Sequence, residues 1–114
     1  MADLNYTVQQ GRLTRDVELK YTPNGKALAK GTIANTTGFG DNERTHFISF
    51  TMWGARAEGI SKYLTKGKQI IVWGELHCNE WETDEGQKRK DWFINFASVH
   101  FCSGDPKPKD GIPF

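Results

Sequence analysis

Short segments in which apolar and polar residues alternate, with turn residues between them, dominate the 114-residue chain. A period of two is the pattern of a β-strand, because successive side chains point to opposite faces of a sheet. The pattern predicts strands at residues 6–21 (with a break around Gly11), 27–36, 45–53, 69–78 and 92–101. In the third segment, one predicted face carries His46, Ile48, Phe50 and Met52, and the other carries Phe47, Ser49, Thr51 and Trp53.

Turns and one helix connect the predicted strands. The run Pro23, Asn24, Gly25 predicts a tight hairpin turn, because glycine tolerates the positive φ that such a turn needs. Gly86, which follows two acidic residues, predicts a second turn. Residues 54–66 are the only good helix candidate, with an apolar stripe at helical spacing and a lysine-glycine stop after it. This stripe consists of Ala57, Ile60 and Leu64.

Five strands with one helix between the third and the fourth is the order of the OB fold, a small, partly open β-barrel. We therefore predict an all-β, five-stranded OB-fold barrel with one helix, in a single domain at residues 1–102. A generic small barrel or sandwich with an incidental helix is the alternative. Residues 103–114 hold Gly, Pro and Lys without a core pattern, and we expect a short flexible tail there.

Composition narrows the function in two ways. The net charge is +1, from 15 basic and 14 acidic residues, so any phosphate-binding surface must come from local clustering. The chain has four Trp and seven Phe, which is more than a small core needs.

We expect a cytoplasmic protein with free thiols and no membrane partner. The chain has two separate cysteines, and it lacks a signal-peptide pattern and a long apolar run.

Several stretches, in order along nearly the whole chain, resemble bacterial single-stranded DNA-binding proteins. They are GRLTRD at 11–16, ELKYTPNGK at 18–26, FTMWG at 50–54, YLTKG at 63–67, VWGEL at 72–76, DEGQK at 84–88 and SVHF at 98–101. The resemblance implies an OB-fold protein that binds single-stranded DNA without sequence specificity during replication, repair and recombination. It also implies a homo-oligomer, a tetramer in this family, that is associated with the nucleoid and has no catalytic activity.

Matching residue by residue, the family's base-stacking positions fall on Phe39, Phe47, Trp53 and Trp81. The alternative is that these are core aromatics. The cations that we expect to contact phosphates are Arg12, Arg15, Lys20, Arg56, Lys88 and Arg89, with Lys62 and Lys90 as further candidates. The alternative for each is a solvated surface charge, which is favoured for Lys62. We expect Lys88, Arg89 and Lys90 to pair in part with the hairpin carboxylates before them.

The run Ile112, Pro113, Phe114 resembles the family's partner-binding tip, which implies contacts with replication and repair proteins.

The alternative function is an OB-fold interaction protein of the replication machinery that binds DNA weakly. A metal-dependent nuclease using the hairpin carboxylates is disfavoured. The three histidines are spread over three predicted strands, and no zinc spacing, phosphate loop or catalytic triad is present, so we expect no metal, no cofactor and no catalytic residue.

Overall fold

The computed structural model describes residues 2–102, which form six strands and one α-helix. The predicted tail, with Ile112, Pro113 and Phe114, lies outside the described residues. The elements are β1 (Thr7–Leu13), β2 (Glu18–Tyr21), β3 (Ala27–Thr37), β4 (Arg44–Trp53), α1 (Gly54–Ile60), β5 (Gln69–Glu82) and β6 (Lys88–Phe101), with short 3₁₀ turns at Gly40–Asn42 and Ser61–Tyr63.

The strands form one sheet in the order β1-β5-β6-β4-β3-β2, and β1 also pairs with β3, so the sheet closes into a ring. Five strands make up the ring, and β2 pairs with β3 beside it. The pairings are antiparallel except for a short parallel contact between β4 and β6. The helix lies between β4 and β5, which are the third and fourth of the predicted strand segments, as the sequence predicted.

The prediction of one first strand with a break at Gly11 is wrong. Residues 7–21 form two strands, and the chain leaves the sheet at residues 14–17 instead. Gly11 is a buried residue inside β1, next to the point where β1 meets β3. A Cβ atom there would lie 2.6 Å from the carbonyl oxygen of Ala34. The glycine therefore marks a close approach of two backbones and not a turn.

The core lies inside the ring, and alternation along each strand supplies it. Phe50 and Met52 from β4 are buried with Ile70 from β5 and Ile94 from β6. The predicted face of β4 with Ile48, Phe50 and Met52 is therefore the inward one, and His46 at its far end is exposed. Leu76, which alternation from Ile70 along β5 would also turn inward, is 39% exposed because the β5–β6 hairpin continues beyond the part of the sheet that encloses the core.

The helix covers one end of the ring but is shorter than predicted. It ends at Ile60, and Leu64 leaves helical geometry and enters the core. The carbonyl of Leu64 accepts a hydrogen bond from the Val17 backbone N–H, at 3.0 Å. The Tyr21 hydroxyl donates to Glu58 Oε2 at 2.9 Å and links β2 to α1, and this hydrogen bond raises the pKa of Tyr21 above its usual value.

The closure of the ring predicts a large effect for Gly11→Ala. The added methyl group has to push the β3 backbone away from β1, and overpacking of this kind costs about 1–3 kcal/mol. Gly59→Ala is the matched control, because it adds the same group within α1 where nothing lies within 4 Å. Alanine is favoured over glycine inside a helix, so this variant should be as stable as the parent or more stable. Urea denaturation measures both. A Gly11→Ala protein as stable as the parent would contradict the close approach.

Candidate nucleic-acid interface

The outward side chains of β3 and β4 form a continuous surface on one side of the ring, which we call the outer face. Antiparallel partners point to the same side of a sheet. The register places four pairs there: Leu28 with Trp53, Lys30 with Thr51, Thr32 with Ser49, and Ala34 with Phe47. The parallel contact between β4 and β6 places Phe93 beside Ser49 and extends the outer face onto β6.

A groove of about 470 Å³ crosses the outer face. Side chains from β2 to β6 line it, together with Arg15 and Asp16 from the loop between β1 and β2. Of the predicted site residues, Trp53 and Arg15 border this groove. Its remaining lining is mixed, with Lys30 and Phe93 beside several hydroxyl, amide and carboxylate groups. The groove therefore offers both ring faces and cations to a ligand.

The four predicted stacking residues are all at the surface to some degree. Phe47 is 71% exposed on the outer face, and Phe39 is 86% exposed in the loop between β3 and β4. Trp81 is 47% exposed on the β5–β6 hairpin, on the same side of β5 as Asn79, which borders the groove. Phe39, Phe47 and Trp81 are thus not part of the domain core. Trp53 is partly buried, and the Lys26 ammonium lies 5.4 Å from its ring centroid.

The predicted cations are divided between several places. Arg15 borders the groove, and Lys20 lies on the outer face because it pairs with Leu28. The Arg12 side chain donates to the carbonyl of Gly67 at 2.9 Å. Arg56 on α1 donates to the Ser98 hydroxyl. Lys30 also borders the groove and was not among the predicted cations, although alternation along β3, where Ala27 and Ala29 point inward, assigns it to the outward face.

The hairpin cations point to two different sides. Lys88 pairs across the strands with Glu82, and Lys90 pairs with Glu80, with 3.6 Å between Nζ and Oε2. The predicted pairing with hairpin carboxylates is therefore present for Lys90. Arg89 instead lies opposite Trp81. Since cross-strand partners share a face, Arg89 lies on the side of Trp81, and Lys88 and Lys90 lie on the other side.

Carboxylates in the groove offset the positive charge of its two cations. Asp16, Glu18 and Asp91 border it together with Arg15 and Lys30. Two of these carboxylates have partners within the domain. Asp16 Oδ1 accepts the Lys66 backbone N–H at 2.8 Å, and Glu18 lies 3.7 Å from Lys20. The groove lining thus carries two cations and three carboxylates, so its positive charge is confined to the positions of Arg15 and Lys30.

Asn95 is a second polar residue that the sequence argument missed. Its side-chain oxygen accepts hydrogen bonds from Thr51 Oγ1 at 2.6 Å and from Trp53 Nε1 at 2.9 Å. Asn95 reaches the outer face because β6 carries a β-bulge, that is, one extra residue relative to β5. Trp73 pairs with Ser98 and Glu75 pairs with Asn95, so two positions along β5 correspond to three along β6. Phe96 in this bulge has a φ of +53°, a conformation that costs a bulky residue of the order of 1–3 kcal/mol. No sequence pattern signalled the bulge, because its position lacks glycine.

Residues 2–102 contain neither a metal-binding cluster nor a membrane-spanning helix. Within this range, no cluster of three or more His, Cys, Asp or Glu side chains is arranged to hold a metal ion. No helix in the described part of the chain has the length and apolar character to cross a membrane.

A ring-closed sheet that displays aromatic rings beside cations on one face is typical of OB-fold modules that bind single-stranded nucleic acid. The chain belongs to the single-strand binding protein family, whose model matches residues 4–102. It is 42% identical to the single-stranded DNA-binding protein of Treponema pallidum, over 97% of this chain and 67% of that protein.

Two further matches bear on length and fold. The chain is 39% identical to the single-stranded DNA-binding protein of Borreliella burgdorferi, of which it spans 63%, and 35% identical to Single-stranded DNA-binding protein 1 of Streptococcus pyogenes, of which it spans 99%. The structure matches that of a Plasmodium falciparum SSB complex with ssDNA with a TM-score of 0.80 and 22% identity, covering 90% of this chain and 97% of the other. This match confirms the predicted OB fold.

Proposed function

We propose that this protein binds exposed single strands of DNA without sequence preference and protects them during replication, repair and recombination. The observation that carries the proposal is the combination, on one outer face, of aromatic rings at Phe47 and Trp53 with cations at Arg15 and Lys30. The protein would hold the strand and catalyse no reaction. This function requires access to DNA, so the protein would act at the nucleoid in the cytoplasm.

The chemistry of the outer face suits a ligand whose bases are unpaired. Every base has a π-face, so stacking on aromatic rings gives affinity without reading sequence. Cations along the same surface neutralise phosphates, and release of counterions makes this part of the affinity depend on salt. Phe39 and Trp81 would extend the stacking surface, and Arg12, Lys20, Arg56 and Arg89 would supply further phosphate contacts. Lys88 has weaker support, because it lies across from Glu82 on the other side of the hairpin.

We also propose that the protein assembles as a homotetramer. Apolar groups exposed on the hairpin side opposite Trp81 support assembly. Trp92, which pairs with Cys78, is 56% exposed there, and Leu76 lies on the same side. Leu76 and Trp92 are diagonal neighbours across the hairpin, and a contiguous exposed apolar patch is typical of a surface that another protein covers. Contacts between the tip at Ile112, Pro113 and Phe114 and replication or repair proteins stay a prediction that is supported by the sequence resemblance alone.

The stacking proposal predicts that Trp53→Ala and Trp81→Ala each weaken the binding of oligo-dT about tenfold or more. Stacking on one aromatic side chain in single-strand binding OB folds contributes about 1–3 kcal/mol per base, and 1.4 kcal/mol is a factor of ten. Fluorescence anisotropy of a labelled oligo-dT measures the affinity, with circular dichroism to verify the fold. Tyr63→Ala is the control, because Tyr63 is exposed on the 3₁₀ turn after α1 and away from the groove. If both tryptophan variants keep the parent affinity, the stacking assignment is wrong.

The phosphate contacts predict a steep salt dependence despite the net charge of +1. For single strands, the slope of log K against log salt is about −0.7 for each phosphate neutralised. Arg15→Ala and Lys30→Ala should each make the slope shallower by about 0.7, whereas Lys62→Ala should leave it unchanged. Titration of oligo-dT binding at several salt concentrations gives the slopes. A flat response in the parent protein would favour the alternative, an interaction protein with weak DNA binding.

The assembly proposal predicts a native particle of four chains, and Trp92→Glu should shift it to smaller species. The buried carboxylate of this variant would be costly in an apolar contact between subunits. Native mass spectrometry measures both proteins, and Glu85→Gln at the hairpin turn is a control that should remain tetrameric. A monomeric parent protein at micromolar concentration would overturn the proposal.

A further inference from the structure

The side chain of Asn95 makes an unusual number of hydrogen bonds for one amide. Its oxygen accepts from Thr51 Oγ1 at 2.6 Å, from Trp53 Nε1 at 2.9 Å and from the Phe96 backbone N–H at 2.9 Å. An indole N–H and a backbone N–H can only donate. The amide must therefore present its oxygen to Trp53, because the opposite orientation would set its NH₂ group against two donors.

The other end of the same amide is also held. Asn95 Nδ2 lies 3.3 Å from His77 Nδ1, and His77 Nε2 lies 2.9 Å from Glu75 Oε1. The contacts thus run across three neighbouring strands, from Trp53 on β4 through β6 to β5. An amide restrained at both ends keeps one rotamer, so it restrains the indole that it contacts.

The bulge in β6 brings Asn95 to this position. Ala97 and Val99 point to the core side of β6, and simple alternation would place Asn95 on that side too. The extra residue reverses the alternation, so Asn95 points to the outer face. The left-handed conformation of Phe96 persists only where surrounding contacts determine it, and such strained bulges commonly re-aim a side chain beside a functional site.

We propose that Asn95 is a positioning residue that holds the Trp53 indole, before DNA arrives, in the orientation that stacks on a base. This inference rests on the proposed function. Asn95 fixes the edge of the ring, and Lys26 lies over its face, at 5.4 Å from the centroid. A ring that is already fixed loses little rotamer freedom when a base stacks on it, so the affinity is higher than for a mobile ring.

Hydrogen exchange of the indole N–H protons tests the hold on the ring in the unmodified protein. Single Trp→Phe substitutions assign the indole signals in a ¹⁵N–¹H spectrum. We expect the Trp53 indole proton to exchange more slowly than those of the exposed Trp81 and Trp92, and to lose this protection in Asn95→Ala. Exchange of the Trp53 proton as fast as that of Trp81 in the unmodified protein would overturn the inference. This measurement needs no Asn95 variant and stands even if that variant does not fold.

A double-mutant cycle separates positioning from a general structural role. Asn95→Ala should weaken oligo-dT binding about three- to tenfold, which corresponds to the freedom of one ordered side chain. In a Trp53→Phe background, which lacks the indole N–H, the same change should alter the affinity less than about twofold. Asn5→Ala is the matched control, because it removes an amide that is outside the groove lining and hydrogen-bonds the Leu76 backbone and not Trp53. An equal loss in both backgrounds would overturn positioning.

The cycle also distinguishes failure of the inference from failure of the proposed function. If Trp53→Ala weakens binding and a folded Asn95→Ala protein binds like the parent, the inference is wrong and the proposed function stands. If the unmodified protein does not bind oligo-dT, the proposed function is wrong and the inference falls with it.

Discussion

The ring of strands depends on the contact between β1 and β3, where Arg12 pairs with Ala34 and Leu13 with Ile33. Without it the sheet would have two open ends and the core would be open along one side. The contact requires the backbones to approach so closely that the position before it, Gly11, has no room for a side chain. The neighbouring Leu13 and Ile33 are buried, so closure of the ring and completion of the core occur at the same place.

Closure also decides which side chains are available to a ligand. Once the inward positions are packed, the outward positions of β3 and β4 have no partner sheet, and Phe47 remains 71% exposed. The net charge of the chain says little about this surface, because Arg15 and Lys30 lie in the groove beside three carboxylates, of which Asp16 and Glu18 have partners within the domain. Local arrangement thus matters more than overall charge.

The sequence predicted those parts of the fold that depend on neighbouring residues along the chain. Alternation located the strands and correctly separated Phe50 and Met52 from Phe47 and Trp53. It failed where the cause lies in a distant segment. The role of Gly11 depends on Ala34, which is 23 positions away in the chain, and nothing local distinguishes a close approach from a break.

The bulge had the same effect on the site. Counting alternate residues back from Val99 places Phe93 and Asn95 inside, whereas the extra residue at Phe96 turns both outward. A one-residue shift reverses every side chain beyond it. The resemblance to a family predicted a role for Trp53, whereas the contact with the Asn95 amide depends on the bulge and is visible only in the folded structure.

The two sides of the β5–β6 hairpin form different surfaces, and this determines which surface a substitution in the hairpin affects. Trp81 and Arg89 lie on one side, and Leu76 and Trp92 lie on the other, so adjacent positions belong to different surfaces. A substitution at one position therefore leaves the surface that its immediate neighbours form largely unchanged. The two surfaces can diverge independently among relatives, and a mutational scan along the hairpin would alternate between two phenotypes with a period of two residues.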